Sequence, residues 1–296
     1  MFIQENKDMV SVHYDSILNL IEEDFKGHKN ESQITKFTKS DDYCDIRKYG
    51  KTNKSFKDVI RHSLIGDPVL LENLKSKIEV INKVTGLNTL DYVQKVQKSK
   101  RVRNYSDQGD ELDIEKVYAG ELDTCWTSSY RKEFDSSHKF VTLFIENGEN
   151  WNVDVVSSFW RSAIAVHLTK ELQKAGKSVR LVVGTCTNNS IQKDARCMTT
   201  SMTVKEYNQQ MNLERVAAMT HLGFFRCVNF AMMYTAPYKL NEGLGRHVPI
   251  NASRWPIQLK EQMDKGHTRL IHIKPVNNET DAIAALKFAY KQLGVS

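Results

Sequence analysis

Apolar residues recur along the chain with two different periods, and the change of period marks its organisation. Between Val10 and Phe25 the apolar positions Val12, Ile17, Leu18, Leu20, Ile21 and Phe25 fall at mixed spacings of three and four, which predicts an amphipathic helix. Residues 26–54 are polar and rich in Lys, Ser, Thr and Asn, the composition of a loop. Pro68 stands where a helix would start, and Leu70 to Val84 returns to helical spacing, with another turn or two at Leu90–Val96. "ELDIEKVYAGELDTCW", residues 111–126, predicts one short helix through Ile114, Val117 and Tyr118, ending at Gly120.

From Phe140 the element types alternate. Phe140–Ile145 is a continuous β-branched and aromatic run, as expected of a strand buried on both faces. Ser157 or Ser158 can cap the helix that follows, where Trp160, Ile164, Leu168 and Leu172 recur every four residues. Arg161, Lys170 and Lys174 lie off that stripe, and Gly176 stops the helix. Ser178–Val183 is the next buried strand and Arg196–Val204 another. Leu213–Tyr234 reads as one long apolar helix closed by Pro237, followed by a strand at Arg269–Ile273 and a helix at Thr280–Leu293. Strands alternating with helices imply crossovers and a mainly parallel sheet covered on both sides. The expected organisation is a mostly helical region over 1–104, an acidic connector over 105–134, and a three-layer α/β/α domain over 135–296.

Composition narrows the class without naming a function. The 296 residues are 40% hydrophobic and 26% charged, ordinary for a soluble globular protein. No apolar run reaches the roughly 20 residues of a membrane span, and the N-terminus lacks the basic and apolar segments of a secretion signal. The cytoplasm is the expected location, the host's if the gene is phage-borne. The cysteines Cys44, Cys125, Cys186, Cys197 and Cys227 are scattered and form no CxxC, which argues for buried thiols rather than disulfides or a zinc cluster.

Charge is unevenly placed. Residues 1–104 carry 19 Lys and Arg against 15 Asp and Glu, or +4; residues 105–154 carry 4 against 12, or −8. Residues 155–296 carry 19 against 9, or +10. Such asymmetry permits a basic face that attracts nucleic acid and an acidic one that repels it.

In an open α/β sheet, ligands gather at the carboxyl ends of the strands. The loop there begins Glu146-Asn147-Gly148-Glu149-Asn150, and Glu146, Glu149 and Asp154 are carboxylates of the kind that bind magnesium. Strand, acidic loop, long helix and second strand resemble the opening of a von Willebrand factor A-type domain. That family binds a divalent metal there through Asp-x-Ser-x-Ser. In this chain glutamate stands for the aspartate, and Gly148 and Asn150 stand for the serines. No strand ending in Thr-Asp-Gly completes the site. The resemblance therefore implies an A-type scaffold with a degenerate loop and no metal or other cofactor. The layout from about residue 110 is also similar to a family of phage and mobile-element proteins of unassigned function. The features that carry it are Asp113-Ile114 with Ala119-Gly120, and SVRLVV after the helix.

The nine histidines form no HExxH or other short metal spacing, and His167 and His221 read as packing or surface residues within helices. Ser190-Ile191-Gln192-Lys193 matches SxxK by chance, and GLG at 243–245 lacks the context of a phosphate loop. No acid–base pair stands out, so no catalytic residue is assigned. Two segments suit nucleic acid. "YKLNEGLGRHVPINASRWP", residues 238–256, interleaves Lys239, Arg246, His247 and Arg254 with Trp255, so that either phosphates meet the cations while a base stacks on the indole, or Trp255 anchors the loop to the core and the arginines are solvated. QKVQKSKRVR, residues 94–103, adds Lys98, Lys100, Arg101 and Arg103, read either as a phosphate-contacting strip or as a solvated helix end.

The favoured expectation is a non-enzymatic, phage-type accessory protein that binds nucleic acid, single-stranded DNA foremost, and recruits replication or transcription machinery. One alternative is a protein-interaction adaptor for an ATPase or polymerase. A weaker one is a magnesium-dependent enzyme using Glu146, Glu149 and Asp154.

Overall fold

The structure is a computed structural model. It describes residues 2–5, 9–21, 56–85, 100–106, 111–121, 124–132, 140–148, 155–188, 197–229, 232–233, 246–247, 250, 255–256, 259–261 and 268–293. The chain divides into two compact units, Met1–Leu87 with His138–Ser296, and Asn88–Ser137. These boundaries differ from those expected at 104 and 134, because the N-terminal stretch is built into the α/β unit.

That unit opens with β1 (Phe2–Glu5) and β2 (Met9–Tyr14), followed by α1 (Ile17–Leu20). The helix expected from Val10 to Phe25 therefore begins only after Tyr14. Val10, Val12 and Tyr14 enter one core while Met9, Ser11 and His13 face the other way, all of them buried. Two-sided burial in a sheet, where β-branched residues pack well, overrides a helical spacing. Ser16 then starts α1, its Oγ accepting from the Asn19 amide at 3.2 Å.

Next come α2 (Phe56–Ile65) and α3 (Pro68–Thr85), joined through Gly66 at φ +102°. Pro68 opens α3 as expected, with Asp67 Oδ1 accepting from the amides of Val69 and Leu70 at 3.0 and 3.2 Å.

The smaller unit contains β3 (Lys100–Ser106), β4 (Glu111–Leu112), α4 (Ile114–Tyr118) and β5 (Trp126–Lys132). Its strands form an antiparallel sheet in the order β3-β5-β4. The short helix expected from the sequence is present, capped by Asp113 and followed by Gly120 at φ +78°. The segment expected to be helical up to Arg103 is instead strand from Lys100, and the presumed connector pairs with it.

The larger unit resumes with β6 (Phe140–Glu146), a 3₁₀ turn at Val155–Ser158, α5 (Phe159–Lys174), β7 (Ser178–Asn188) and β8 (Cys197–Lys205). It ends with α6 (Leu213–Thr220), α7 (Leu222–Phe224), β9 (Arg246–His247), β10 (Thr268–Ile273) and α8 (Glu279–Gln292). The sheet runs β1-β2-β8-β7-β6-β10, with β9 pairing β7 from the side. The ladders β2–β8, β6–β7 and β6–β10 are parallel, while β7–β8 is an antiparallel ladder rather than a crossover. The fold is mixed α/β around a mostly parallel sheet. No described helix is long and apolar enough to cross a membrane.

One face of the sheet carries the main core. Val141, Leu143, Ile145, Leu181, Val183, Met202, Ile271 and Ile273 meet buried residues of α1, α2, α3, α5, α6 and α8. The other face carries a smaller cluster of Met9, Phe144, Val182, Cys186, Cys197 and Leu270 with Ile250 and Leu259, and Trp255 packs against it.

Two helices depart from expectation. In α5 every residue from Phe159 to Thr169 is buried, including Arg161, expected to face solvent. The cause is packing on several sides, since α3, α6 and α8 all meet it. His167, inside this shell, sits 3.0 Å from both Asn82 Oδ1 and the Tyr290 hydroxyl, tying α5 to α3 and α8. Ser158 precedes α5 without a side-chain cap, as its backbone is already helical at φ −61° and ψ −23°. The long helix expected from Leu213 breaks at His221, whose extended backbone (φ −67°, ψ 149°) lets Nδ1 accept from the Gly223 amide at 3.0 Å. A π turn follows at Phe225–Asn229.

Candidate ligand site at the carboxyl edge of the sheet

The parallel strand β6 ends in Glu146 and Asn147, whose side chains go to opposite faces by the alternation of a strand. Both are wholly buried. On the smaller-core face, Glu146 Oε2 lies 2.8 Å from His272 Nε2, and Oε1 accepts the Ile250 amide at 3.1 Å. Phe144 and Trp255 enclose this pair, with the indole edge-on to His272 at 5.0 Å and to Phe144 at 5.8 Å between centroids. The carboxylate of Glu146 is thus spent on a structural contact. Of the three carboxylates considered for magnesium, Glu149 and Asp154 lie outside the described residues. No group of three or more His, Cys, Asp and Glu among the described residues could hold a metal.

The main-core face of the same edge is polar. Register places Ile145 beside Val183 and Val183 opposite Met202, an apolar row. Two residues further along, Asn147 follows Glu146, which is beside Gly184, and Thr185 stands opposite Thr200. The Asn147 amide donates to the Gly184 carbonyl at 2.9 Å, which seats it at the end of β7. The result is a second row, Asn147–Thr185–Thr200, in which every residue is 0% exposed. Asn229 of the π turn reaches down to it, its Nδ2 donating to Asn147 Oδ1 at 3.0 Å. From the other side Arg161, one turn into α5, donates to the Glu146 carbonyl at 2.7 Å. Three atoms of the row have no hydrogen-bonding partner: Asn147 Nδ2, Thr185 Oγ1 and Thr200 Oγ1. Leaving each such group unmatched costs about 1–3 kcal/mol.

The residues expected to contact nucleic acid fall in two places. Lys239, Arg254 and Lys98 lie outside the described residues. Arg246 and His247 form β9, which pairs with Asn188 and Thr187 at the carboxyl end of β7. Trp255, expected to stack on a base, is partly buried against Phe144 and His272 and anchors its segment to the sheet. Lys100, Arg101 and Arg103 lie on β3 of the smaller unit, where register sets Lys100 opposite Lys132 and Arg101 opposite Arg131. Arg131 and Lys132 were not anticipated, because 30 or more positions separate them from their partners and only strand pairing unites them. Their one sequence signal is that they are adjacent basic residues in an otherwise acidic stretch.

The fold and this edge define a mixed α/β protein with a polar interior at the carboxyl ends of its central strands. The chain belongs to the DUF7192 family, a domain of unknown function, whose model matches residues 3–295 and so runs through both units. No curated protein and no solved structure matches it.

Proposed function

We propose that this protein is a non-enzymatic accessory factor, of the kind phages encode, that binds nucleic acid and brings it to replication or transcription machinery. Single-stranded DNA is the favoured ligand. The observation that carries this reading is the β3–β5 ladder, with Arg101 opposite Arg131 and Lys100 opposite Lys132. The register gathers four basic residues on two neighbouring strands, and basic residues that neutralise phosphates release condensed counterions. The basic loop at β9 offers a second cationic segment. In this reading the frame is a three-layer domain similar to the A-type, with the metal position given over to the Glu146–His272 contact.

The adaptor reading draws support from Trp255, since an indole packed against the sheet is less free to stack on a base. A mobility-shift titration of single- and double-stranded oligonucleotides at two salt concentrations decides between them. Binding that falls steeply with salt is expected. Arg101→Gln with Arg131→Gln should flatten the log–log salt slope by roughly 1.4, about 0.7 for each lost contact to a single strand. Absence of any shift at low salt would leave the adaptor reading in its place.

A further inference from the structure

The sheet of the smaller unit divides its basic residues between two faces, and only one of them has the composition of a binding surface. Successive residues of a strand belong to alternate faces. Register then groups Arg101, Arg103 and Tyr105 of β3 with Arg131, Ser129 and Thr127 of β5. The opposite face takes Val102, Tyr130 and Trp126, joined by Leu112 of β4, with Lys100 and Lys132 at its end. An antiparallel sheet commonly packs one face and leaves the other to water. The apolar residues suit the second face to packing, and the first, which has no aliphatic residue on β3 or β5, is suited to solvent. Three arginines on such a face fit phosphates, because a guanidinium can hold a phosphate through two N–H groups. Their row ends at an aromatic residue, Tyr105, roughly 14 Å along β3 from Arg101. The residues across from Arg103 and Tyr105 are small and polar, Ser129 and Thr127. Glu111 shares this face two strands from Tyr105, roughly 10 Å away, and confines an anionic ligand to the β3–β5 side. Cations for the backbone beside an aromatic for a base are what an unpaired strand needs, whereas a duplex keeps its bases stacked on one another.

We propose that the face of Arg101, Arg103, Arg131 and Tyr105 is a surface for single-stranded DNA, on which the arginines hold phosphates and Tyr105 stacks a base. The proposal rests on the oligonucleotide reading and sharpens it. The strand is taken on one face of the ladder, Tyr105 distinguishes it from a duplex, and Lys100 and Lys132 on the other face do not contact it.

Fluorescence-anisotropy titrations of the full chain with three labelled probes, a single-stranded DNA oligonucleotide, its duplex and inorganic polyphosphate, are the test. Tyr105→Leu is expected to weaken the single strand about tenfold. It should leave polyphosphate unchanged, since a chain without bases gains nothing from a ring, and any binding of the duplex unchanged as well. Tyr105→Phe, which keeps a ring, should bind the single strand as the wild type does. Arg101→Gln with Arg103→Gln should flatten the log–log salt slope for the single strand by roughly 1.4. Lys100→Gln with Lys132→Gln should leave that slope where it is. The proposal is overturned if the lysine pair costs as much as the arginine pair, or if Tyr105→Leu binds the single strand unimpaired. It is equally overturned if Tyr105→Leu weakens all three probes alike, or if Tyr105→Phe fails with it, since Tyr105 then acts through the fold. In each of those cases the wild type still binds the single strand and the oligonucleotide reading stands. Absence of binding to any oligonucleotide by the wild type at low salt removes that reading itself, and the proposal with it.

Discussion

At the amino end of β7 and at its carboxyl end, the same sheet buries polar side chains to the same depth but matches them differently. Near the amino end, on the smaller-core face, Arg180 donates to Thr203 Oγ1 at 2.8 Å and approaches His13 Nε2 at 3.3 Å. His13 Nδ1 meets Ser201 Oγ at 2.9 Å, and Arg180 Nε lies 3.4 Å from Glu206. Lys205 donates to the carbonyls of Val179 and Glu206 at 2.6 and 2.8 Å, and burial holds its ammonium below the usual lysine range. This network stitches β2, β8 and β7 together. At the carboxyl end, Asn147, Thr185 and Thr200 make a row of equal burial with three atoms unmatched. Groups that partner one another hold a sheet, whereas buried groups left over weaken it by the cost of the bond not made.

Acid should separate the two ends most strongly. Burial, with Arg180 adding to it, pushes the His13 imidazole down from 6.5 to about 3. Its unfolded state therefore binds more protons between those values. Stability is full above pH 6.5 and falls as pH drops toward 3, by up to about 1.4 kcal/mol per pH unit. Chemical denaturation at several pH values should show that slope, and His13→Asn should flatten it. A smaller slope of the same sign should survive from His167, also lowered by burial. The carboxyl row contains no titrating group, so Thr185→Val should leave the slope unchanged.

Arg180→Met should destabilise by about 3 kcal/mol, since it strands His13, Thr203 and Glu206 together. Guanidinium midpoints would measure it. Gly184→Ala should cost roughly 1–3 kcal/mol by overpacking. An added Cβ there would come within 2.7 Å of both Phe144 Cζ and the Thr200 carbonyl, so the carboxyl row shifts with it. The finest comparison removes one hydroxyl from each end. Thr203→Val should cost about 1 kcal/mol, while Thr185→Val should be neutral or slightly stabilising. Equal losses in urea titrations would erase the distinction between the ends.

Much of the fold was legible where local signals and tertiary environment agree. Pro68, Gly120 and Gly176 act at helix ends, and Phe140–Ile145 is the buried strand its residues predict. Legibility failed where packing reversed a local preference. Met9–Tyr14 pairs with Cys197–Met202, almost two hundred positions away, and no spacing within Val10–Phe25 announces that partner. Arg161 looked solvent-facing because its stripe was drawn against one surface, whereas α5 is enclosed by helices as well as by the sheet. The candidate site was half visible. The loop after β6 drew attention to this edge, where Glu146 was weighed as one carboxylate of a degenerate metal loop; the alternation of β6 turns it toward His272. Asn147, its neighbour, went unremarked because a lone asparagine has no motif.

By itself the sequence determined the alternation of strands and helices, their capping residues and the uneven charge, since these follow from periodicity, backbone preference and composition over short spans. The tertiary structure alone decided which strands are neighbours. Strand pairing is non-local, and it turned separate residues into the Asn147–Thr185–Thr200 row, the His13–Arg180 network and the Arg101–Arg131 pair.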